Sequence, residues 1–319
     1  MQLHLAPMEG VVNARMRALL TAIGGIDRCI TEFVRITDQL LPARVFHRLC
    51  PELEHGCKTP SGTPVYIQLL GGEPGPMAEN AARAASLGAI GIDTNFGCPA
   101  KCVNRHRGGS VLLDEPELLY QIIKSMRSAV PASIPVTAKI RLGFNDDSKL
   151  IDIVSAINEA GANGLTIHAR TKSDGYKPPA HWHQLAKLHD VNRIPLVANG
   201  EVWSPDDYQA CKQQSGCSDV MLGRGLLARP DLALAIKTQS LGKKYHRDEW
   251  ANIFLLVEAL FNDSVASCAT RPIKQWLGYL RREYPQAQQL FDKIKRLNSA
   301  ADIASAIHEH RDYHLIVAA

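Results

Sequence analysis

Short apolar, β-branched runs alternate with longer stretches of helical periodicity from the start of the chain to about residue 228, the pattern of a parallel sheet built from βα units. Eight runs stand out, at 3–5, 29–34, 65–70, 89–94, 136–142, 164–169, 195–198 and 219–222. Eight repeats in about 240 residues is the size of a closed (β/α)8 TIM barrel. Between them, 77–85 reads as a helix stopped by Gly88 and 150–160 as one stopped by Gly161, each glycine standing where a helix end takes a left-handed residue. From about residue 243 the strand pattern ceases. Ile273, Trp276, Leu277 and Leu280 follow i, i+3, i+4, i+7 spacing, and Leu290, Ile294 and Leu297 repeat it. The chain therefore reads as a barrel over 1–242 followed by a small all-helical domain over 243–319. A doubly wound open sheet is the alternative, resting on Gly223-x-Gly225-x-x-Ala228. That signature follows the eighth run instead of the first, and Lys243-Lys244 stands where a ribose-binding acid is expected.

Composition removes other classes. With 45% apolar and 21% charged residues among 319, the chain is neither disordered, collagen-like nor a coiled coil. No apolar run approaches the roughly 18 residues of a membrane span. The N-terminus lacks the basic segment of a signal peptide, so a cytoplasmic protein is expected. Eight cysteines without a CxxC pair argue against a disulfide framework, a structural zinc and an iron–sulfur cluster. Residues 271–296 hold seven basic side chains against two acidic ones, which suits either an anionic partner or a solvated helical face. Lys274 and Arg281 lie seven apart with Gly278 between them, a face a phosphate could approach closely. No heptad or apolar stripe is left over, so a monomer is expected.

Barrel enzymes work at the C-terminal ends of their strands. Here those ends are polar. Thr137, Lys139 and Arg141 share one face of the fifth run, and His168 and Arg170 one face of the sixth. Four cation-capable groups on adjacent strands are costly to bury unless an anion sits among them. Ala198-Asn199-Gly200-Glu201 and Leu222-Gly223-Arg224-Gly225 put glycines and an arginine where barrels hold phosphate. Pro7, Met8 and Glu9 follow the first run and Gln68 lies in the third. Together these suit a cofactor with one phosphate and a flat ring. FMN fits better than a dinucleotide, since no adenosine-binding fingerprint accompanies the glycines. The longest βα connection, 95–110, carries Cys98 between Gly97 and Pro99 and is the candidate catalytic loop. Cys98, Cys102 and His106 are spaced four apart, but Pro99 opposes a helix from Cys98 and no fourth ligand is evident, so no metal is expected.

Ala6-Pro7-Met8-Glu9-Gly10-Val11, Asn95-x-Gly97-Cys98-Pro99-x-Lys101-x-Val103, Lys139 to Phe144, His168-Ala169-Arg170-Thr171, Asn199-Gly200-Glu201 and Gly223-Arg224-Gly225 together resemble the tRNA-dihydrouridine synthases. The segments 30–35, 59–63 and 274–280 look like the bacterial C-type branch, which modifies uridine 16 of the D-loop. The resemblance implies a barrel with a helical RNA-binding domain, and FMN reduced by NADPH, with NADH possible as reductant. Hydride transfer to C6 of a flipped-out uracil would follow, with Cys98 giving the proton to C5. It implies FMN contacts from Pro7, Met8, Glu9, Gln68, Lys139, His168, Asn199, Gly200, Glu201, Gly223 and Arg224. It implies tRNA contacts from Arg35, Asn95, Arg141, Arg170, Tyr176, Arg271, Lys274, Arg281 and Lys295, with Asn95 orienting the base. An FMN reductase of a free pyrimidine or small enone, and an RNA-folding factor with a structural flavin, are the rival readings. The first leaves the basic tail without a task.

Overall fold

A computed structural model describes residues 1–262 and 270–317, the side chains of 312–317 excepted. Cys268 lies outside the described residues. Nine strands form one parallel sheet: β1 (Leu3–Leu5), β2 (Arg28–Ile30), β3 (Val34–Arg35), β4 (Val65–Leu70), β5 (Ile92–Asn95), β6 (Val136–Arg141), β7 (Leu165–His168), β8 (Leu196–Asn199) and β9 (Asp219–Leu222). Because β1 pairs with both β9 and β2, and β2 pairs with β4, the sheet closes on itself. β2 and β3 both pair with β4 and make one stave, so the barrel has the eight staves read from the sequence.

The run 29–34, expected as one strand, is divided. At the break the Thr31 hydroxyl accepts from the Gln68 N–H at 3.0 Å, replacing a ladder partner, and Glu32 accepts from the Gly10 N–H at 2.5 Å. The interruption delivers Glu32 and Phe33 to the barrel mouth.

Alternation sorts the staves into two faces. Outward residues such as Ile67, Ile92, Val136, Ala138, Ile140 and Ile167 are fully buried under the surrounding helices. Inward, Ala6, Ile30, Tyr66, Val197 and Met221 form a separate apolar plug. Two residues further along the same faces come Gln68 and Asn199, so the interior turns polar towards the mouth. The expected helices form as Pro74–Ser86 and Leu150–Glu159, with Gly88 and Gly161 at φ 96° and 84°.

After β9 the described residues form helices and no strand, through Arg224–Ala228, Leu232–Ser240, Trp250–Asn262, Thr270–Leu280, Pro285–Ile294 and Ala300–Val317. Pro272 falls in the first turn of Thr270–Leu280, where its missing N–H costs nothing. Ile273, Trp276, Leu277 and Leu280 are the buried stripe. Trp276 ties the tail to the barrel by donating from Nε1 to the Leu227 carbonyl at 3.1 Å. Replacing Trp276 by Ala is expected to cost about 3–5 kcal/mol, and by Phe about 1–2 kcal/mol, in urea unfolding. Equal losses for the two variants would show that the packing a Phe ring retains contributes nothing, and an unchanged stability in Trp276→Phe that the hydrogen bond contributes nothing.

Candidate active site at the barrel mouth

A cavity of about 610 Å³ opens at the C-terminal ends of the strands, within the range of small-molecule sites. Pro7, Met8 and Glu9 enter it after β1, Gln68 from β4, Asn95 from β5, Lys139 and Arg141 from β6, and His168 from β7. Asn199, Gly200 and Glu201 come from β8 and its loop, Gly223 and Arg224 from beyond β9, and Cys98 and Tyr176 from loops. Glu32, Phe33, Trp203 and Tyr279 also line it, and the sequence reading assigned them no role. Tyr279 lies within the motif 274–280, and Trp203 stands two residues beyond Glu201; those placements were the available signals.

The protein itself satisfies part of the crowded positive charge, which corrects the inference that all four groups need an anion. Arg141 donates to three carbonyls, those of Gly97 at 2.8 Å, Thr171 at 3.0 Å and Gly175 at 2.9 Å. Arg170 is fully buried behind the wall, bonded to the Lys177 carbonyl at 2.6 Å and paired with Glu201. It is not a lining residue, so the expected substrate contact becomes a strut that holds Glu201. Burial and the surrounding cations hold His168 well below its ordinary pKa. It is therefore neutral, and since Arg170 can only donate to Nε2 at 3.3 Å, the ring proton belongs on Nδ1.

Two cations remain for a ligand. Burial, with Arg141 adding to it, brings the Lys139 ammonium down to about 8, and Nζ donates to Asn199 Oδ1 at 3.1 Å. Arg224 lies over the rings of Tyr176 at 5.1 Å and Trp203 at 5.3 Å, and no carboxylate among the described residues pairs with it. Trp203 is fixed by Nε1 donating to Glu201 Oε1 at 2.9 Å, and Glu201 holds the left-handed backbone (φ 61°) that such anchoring sustains. Arg282 of the tail stacks over the same indole at 3.7 Å. The glycines differ in purpose. Gly200 has φ 117°, and a Cβ there would meet His168 at 2.9 Å, so protein geometry demands it. A Cβ on Gly223 would meet nothing nearer than 3.7 Å, so the glycine leaves open space on the cavity side. A phosphate beside Arg224 and an anionic ring edge beside Lys139 fit these walls.

Cys98 is held by its backbone. Its carbonyl accepts from the Ser110 N–H at 3.0 Å and from Asn104 Nδ2 at 2.9 Å, and Gly109 (φ 68°) packs so close that a Cβ would meet that carbonyl at 2.7 Å. Burial, with Cys102 and Glu9 adding to it, pushes the Cys98 thiol above its ordinary value, so it stays protonated at neutral pH. Cys102 and His106 are exposed, and among the described residues no metal-binding group of His, Cys, Asp or Glu is formed.

The remaining expected RNA contacts lie outside the cavity. Arg35 is exposed and donates to the Cys102 carbonyl at 3.4 Å. Arg271 is exposed at the start of its helix. Lys274 donates to the Leu297 carbonyl, and Arg281 falls in the turn after the helix, 4.7 Å over Phe291. The face the two were expected to share is therefore drawn towards the next helix. Lys295 is exposed beside Asp292 at 2.7 Å.

Comparison with known proteins bears on this geometry. Residues 4–311 match the family model described as dihydrouridine synthase. The chain belongs to that family. Dihydrouridine synthases are oxidoreductases, so the chain is an enzyme. Among its relatives, proteins named tRNA-dihydrouridine(16) synthase are 49% identical in Pseudomonas putida, over 95% of each chain, and 50% in Ralstonia nicotianae, over 97% of this chain and 95% of that one. The one in Shewanella oneidensis is 47% identical over 99% of both chains. In fold alone, the synthase is similar to histamine dehydrogenase from Rhizobium sp. 4-9, with a TM-score of 0.56 at 14% identity over 76% of this chain and 46% of that one. A variant of NCR from Zymomonas mobilis gives 0.52 at 13% identity, over 78% of this chain and 89% of that one. Among the described residues no helix is long and apolar enough to cross a membrane. Because burial raises the Cys98 thiol and Cys102 is exposed, iodoacetamide at pH 8 is expected to label Cys102 first. Peptide mass spectrometry showing the reverse order would contradict the protonated state of Cys98.

Proposed function

We propose that this synthase reduces the C5–C6 double bond of uridine 16 in the D-loop of tRNA, giving 5,6-dihydrouridine. The observation that carries the reading is the meeting, in one cavity, of a thiol kept protonated (Cys98), an amide (Asn95) and a lysine that forms no ion pair among the described residues (Lys139). The names of the relatives support position 16. Bound FMN would supply the hydride that adds to uracil C6, with NADPH, or NADH in its place, as the source of electrons. Pro7, Met8, Glu9, Gln68, Lys139, His168, Asn199, Gly200, Glu201, Gly223 and Arg224 would hold it.

Addition at C6 leaves negative charge spread over C5 and the C4 carbonyl. Cys98 delivers the proton to C5, for which a thiol kept neutral is the suitable acid. Lys139 stabilises negative charge at the ring edge beside it, which in turn raises its own affinity for a proton. Asn95 meets the polar edge of the base. Arg141 props the Gly97 carbonyl beside the acid.

Reaching a stacked base requires unstacking it, at a cost of a few kcal/mol that phosphate contacts offset. We assign those contacts to Arg35, Tyr176, Arg271, Lys274, Arg281 and Lys295, and divide the chain into a catalytic barrel over 1–242 and a tRNA-binding helical unit over 243–319. A monomer in the cytoplasm, with tRNA as its partner, completes the proposal.

Cys98→Ala is expected to lower dihydrouridine formation at least about a hundredfold while FMN and tRNA binding persist. Mass spectrometry of tRNA after single turnover checks it, and formation at the wild-type rate would remove Cys98 from the reaction. FMN affinity is expected to fall as pH rises through about 8, because Lys139 is charged below that value and neutral above it. Flavin fluorescence titrations at pH 7 and 9 test this. In Lys139→Met the pH step disappears.

A further inference from the structure

Polar groups inside the barrel form one chain of hydrogen bonds. Asp93 stands at its closed end, 1% exposed, two residues before Asn95 on the inward face of β5. One carboxylate oxygen accepts from Thr137 Oγ1 at 2.6 Å and the other from Gln68 Nε2 at 2.7 Å. Gln68 Oε1 accepts from Asn95 Nδ2 at 2.8 Å, and Asn95 Oδ1 accepts from the Gly97 N–H at 2.9 Å. A carboxylate has acceptors only. It therefore decides which end of the Gln68 amide faces it, and so which end is left for Asn95. Burial pushes Asp93 up to about 6 against the bonds from Gln68 and Thr137 and the charges of Lys139 and Arg28, so at neutral pH it remains a carboxylate.

With these bonds made, Asn95 keeps one N–H and one oxygen lone pair for a ligand in the cavity it lines. Their order matters for a pyrimidine. Uracil places an acceptor, O4, beside a donor, the N3–H; cytosine places a donor, the N4 amino group, beside an acceptor, N3. An amide whose two ends are fixed matches one order and opposes the other.

We propose that Asp93 is a positioning residue that, through Gln68 and together with the Gly97 N–H, fixes the polarity of the Asn95 amide, so that the pocket accepts the uracil edge and rejects the cytosine edge. The proposal rests on the reading of this cavity as a uridine site, and it assigns a specificity role to a residue that does not itself line that cavity. In the opposite direction Asp93 and Thr137 border a second cavity of about 280 Å³ among the strand starts, which keeps the carboxylate end of the chain apart from the ligand end.

The test compares wild type, Asp93→Leu and Asp93→Asn in binding two tRNA transcripts that differ only in carrying uridine or cytidine at the target position. Wild type is expected to prefer the uridine transcript about tenfold or more. Asp93→Leu is expected to lower the ratio severalfold while overall tRNA binding persists, since the Gly97 N–H alone is then left to hold Asn95 Oδ1. Asp93→Asn is expected to restore most of the ratio, since Asn can keep an oxygen towards Gln68 while Thr137 turns its hydroxyl to the Ile92 carbonyl, 3.5 Å away. If Asp93→Leu does not fold, Gln68→Met breaks the same chain with the carboxylate in place, and the same loss of ratio is expected. An unchanged ratio in Leu or Met, an Asn variant as indiscriminate as Leu, or a wild-type ratio near one in an active enzyme overturns the proposal. A wild type that forms no dihydrouridine overturns the uridine reading itself.

Discussion

The register between neighbouring staves is the constraint on which the active site depends. Asn95 lies opposite Lys139, Arg141 opposite His168, and His168 opposite Asn199. Side chains alternate faces along a strand, so a slip of one residue in β6 would send Lys139 outward beneath the helices and bring Ala138 or Ile140 to the mouth. What prevents the slip is apolar. Val136, Ala138 and Ile140 are fully buried on the outer face, and exposing that set to the polar interior would forfeit the burial of three side chains. The residues that hold the chemistry in place are thus the ones that never touch it.

Positive charge is used in two different ways on this frame. Arg141 and Arg170 are spent inside the protein, one on three carbonyls and the other on Glu201, because an unpaired guanidinium in a buried wall is costly. Among the described residues Lys139 bonds to an amide and Arg224 stacks on aromatic rings, and neither forms an ion pair, so their fields remain available to a ligand. Burial, with the surrounding cations adding to it, keeps His168 neutral, which leaves the site a hydrogen-bond donor and acceptor where the sequence suggested a cation.

Much of this was legible in the sequence, for a definable reason. Barrel staves are short continuous apolar runs, and the strand-end motifs sit where the runs stop, so 3–5, 65–70 and 219–222 coincide with β1, β4 and β9. The division of 29–34 was not legible, because Thr31 substitutes a side-chain hydroxyl for a backbone partner and nothing local announces that exchange. Nor was the state of Arg170: period two placed it beside His168, but its partner Glu201 is 31 residues away. Trp203 and Tyr279 escaped for a related reason, since they reach the cavity from a loop and from the tail, where alternation along a stave says nothing about direction.

The stacking series that begins at Arg141 runs through Tyr176, Arg224 and Trp203 and ends on Arg282, which belongs to the helical tail. One end touches the loop that carries the acid, through the Gly97 carbonyl, and the other is set by a segment that follows the barrel. The helical tail thus stacks a cation on Trp203, which lines the cavity. A tail taken from a relative that lacks the arginine would arrive without one tier of the wall around Glu201. A tail exchanged onto this barrel would have to bring a cation to the same indole to keep that tier in place.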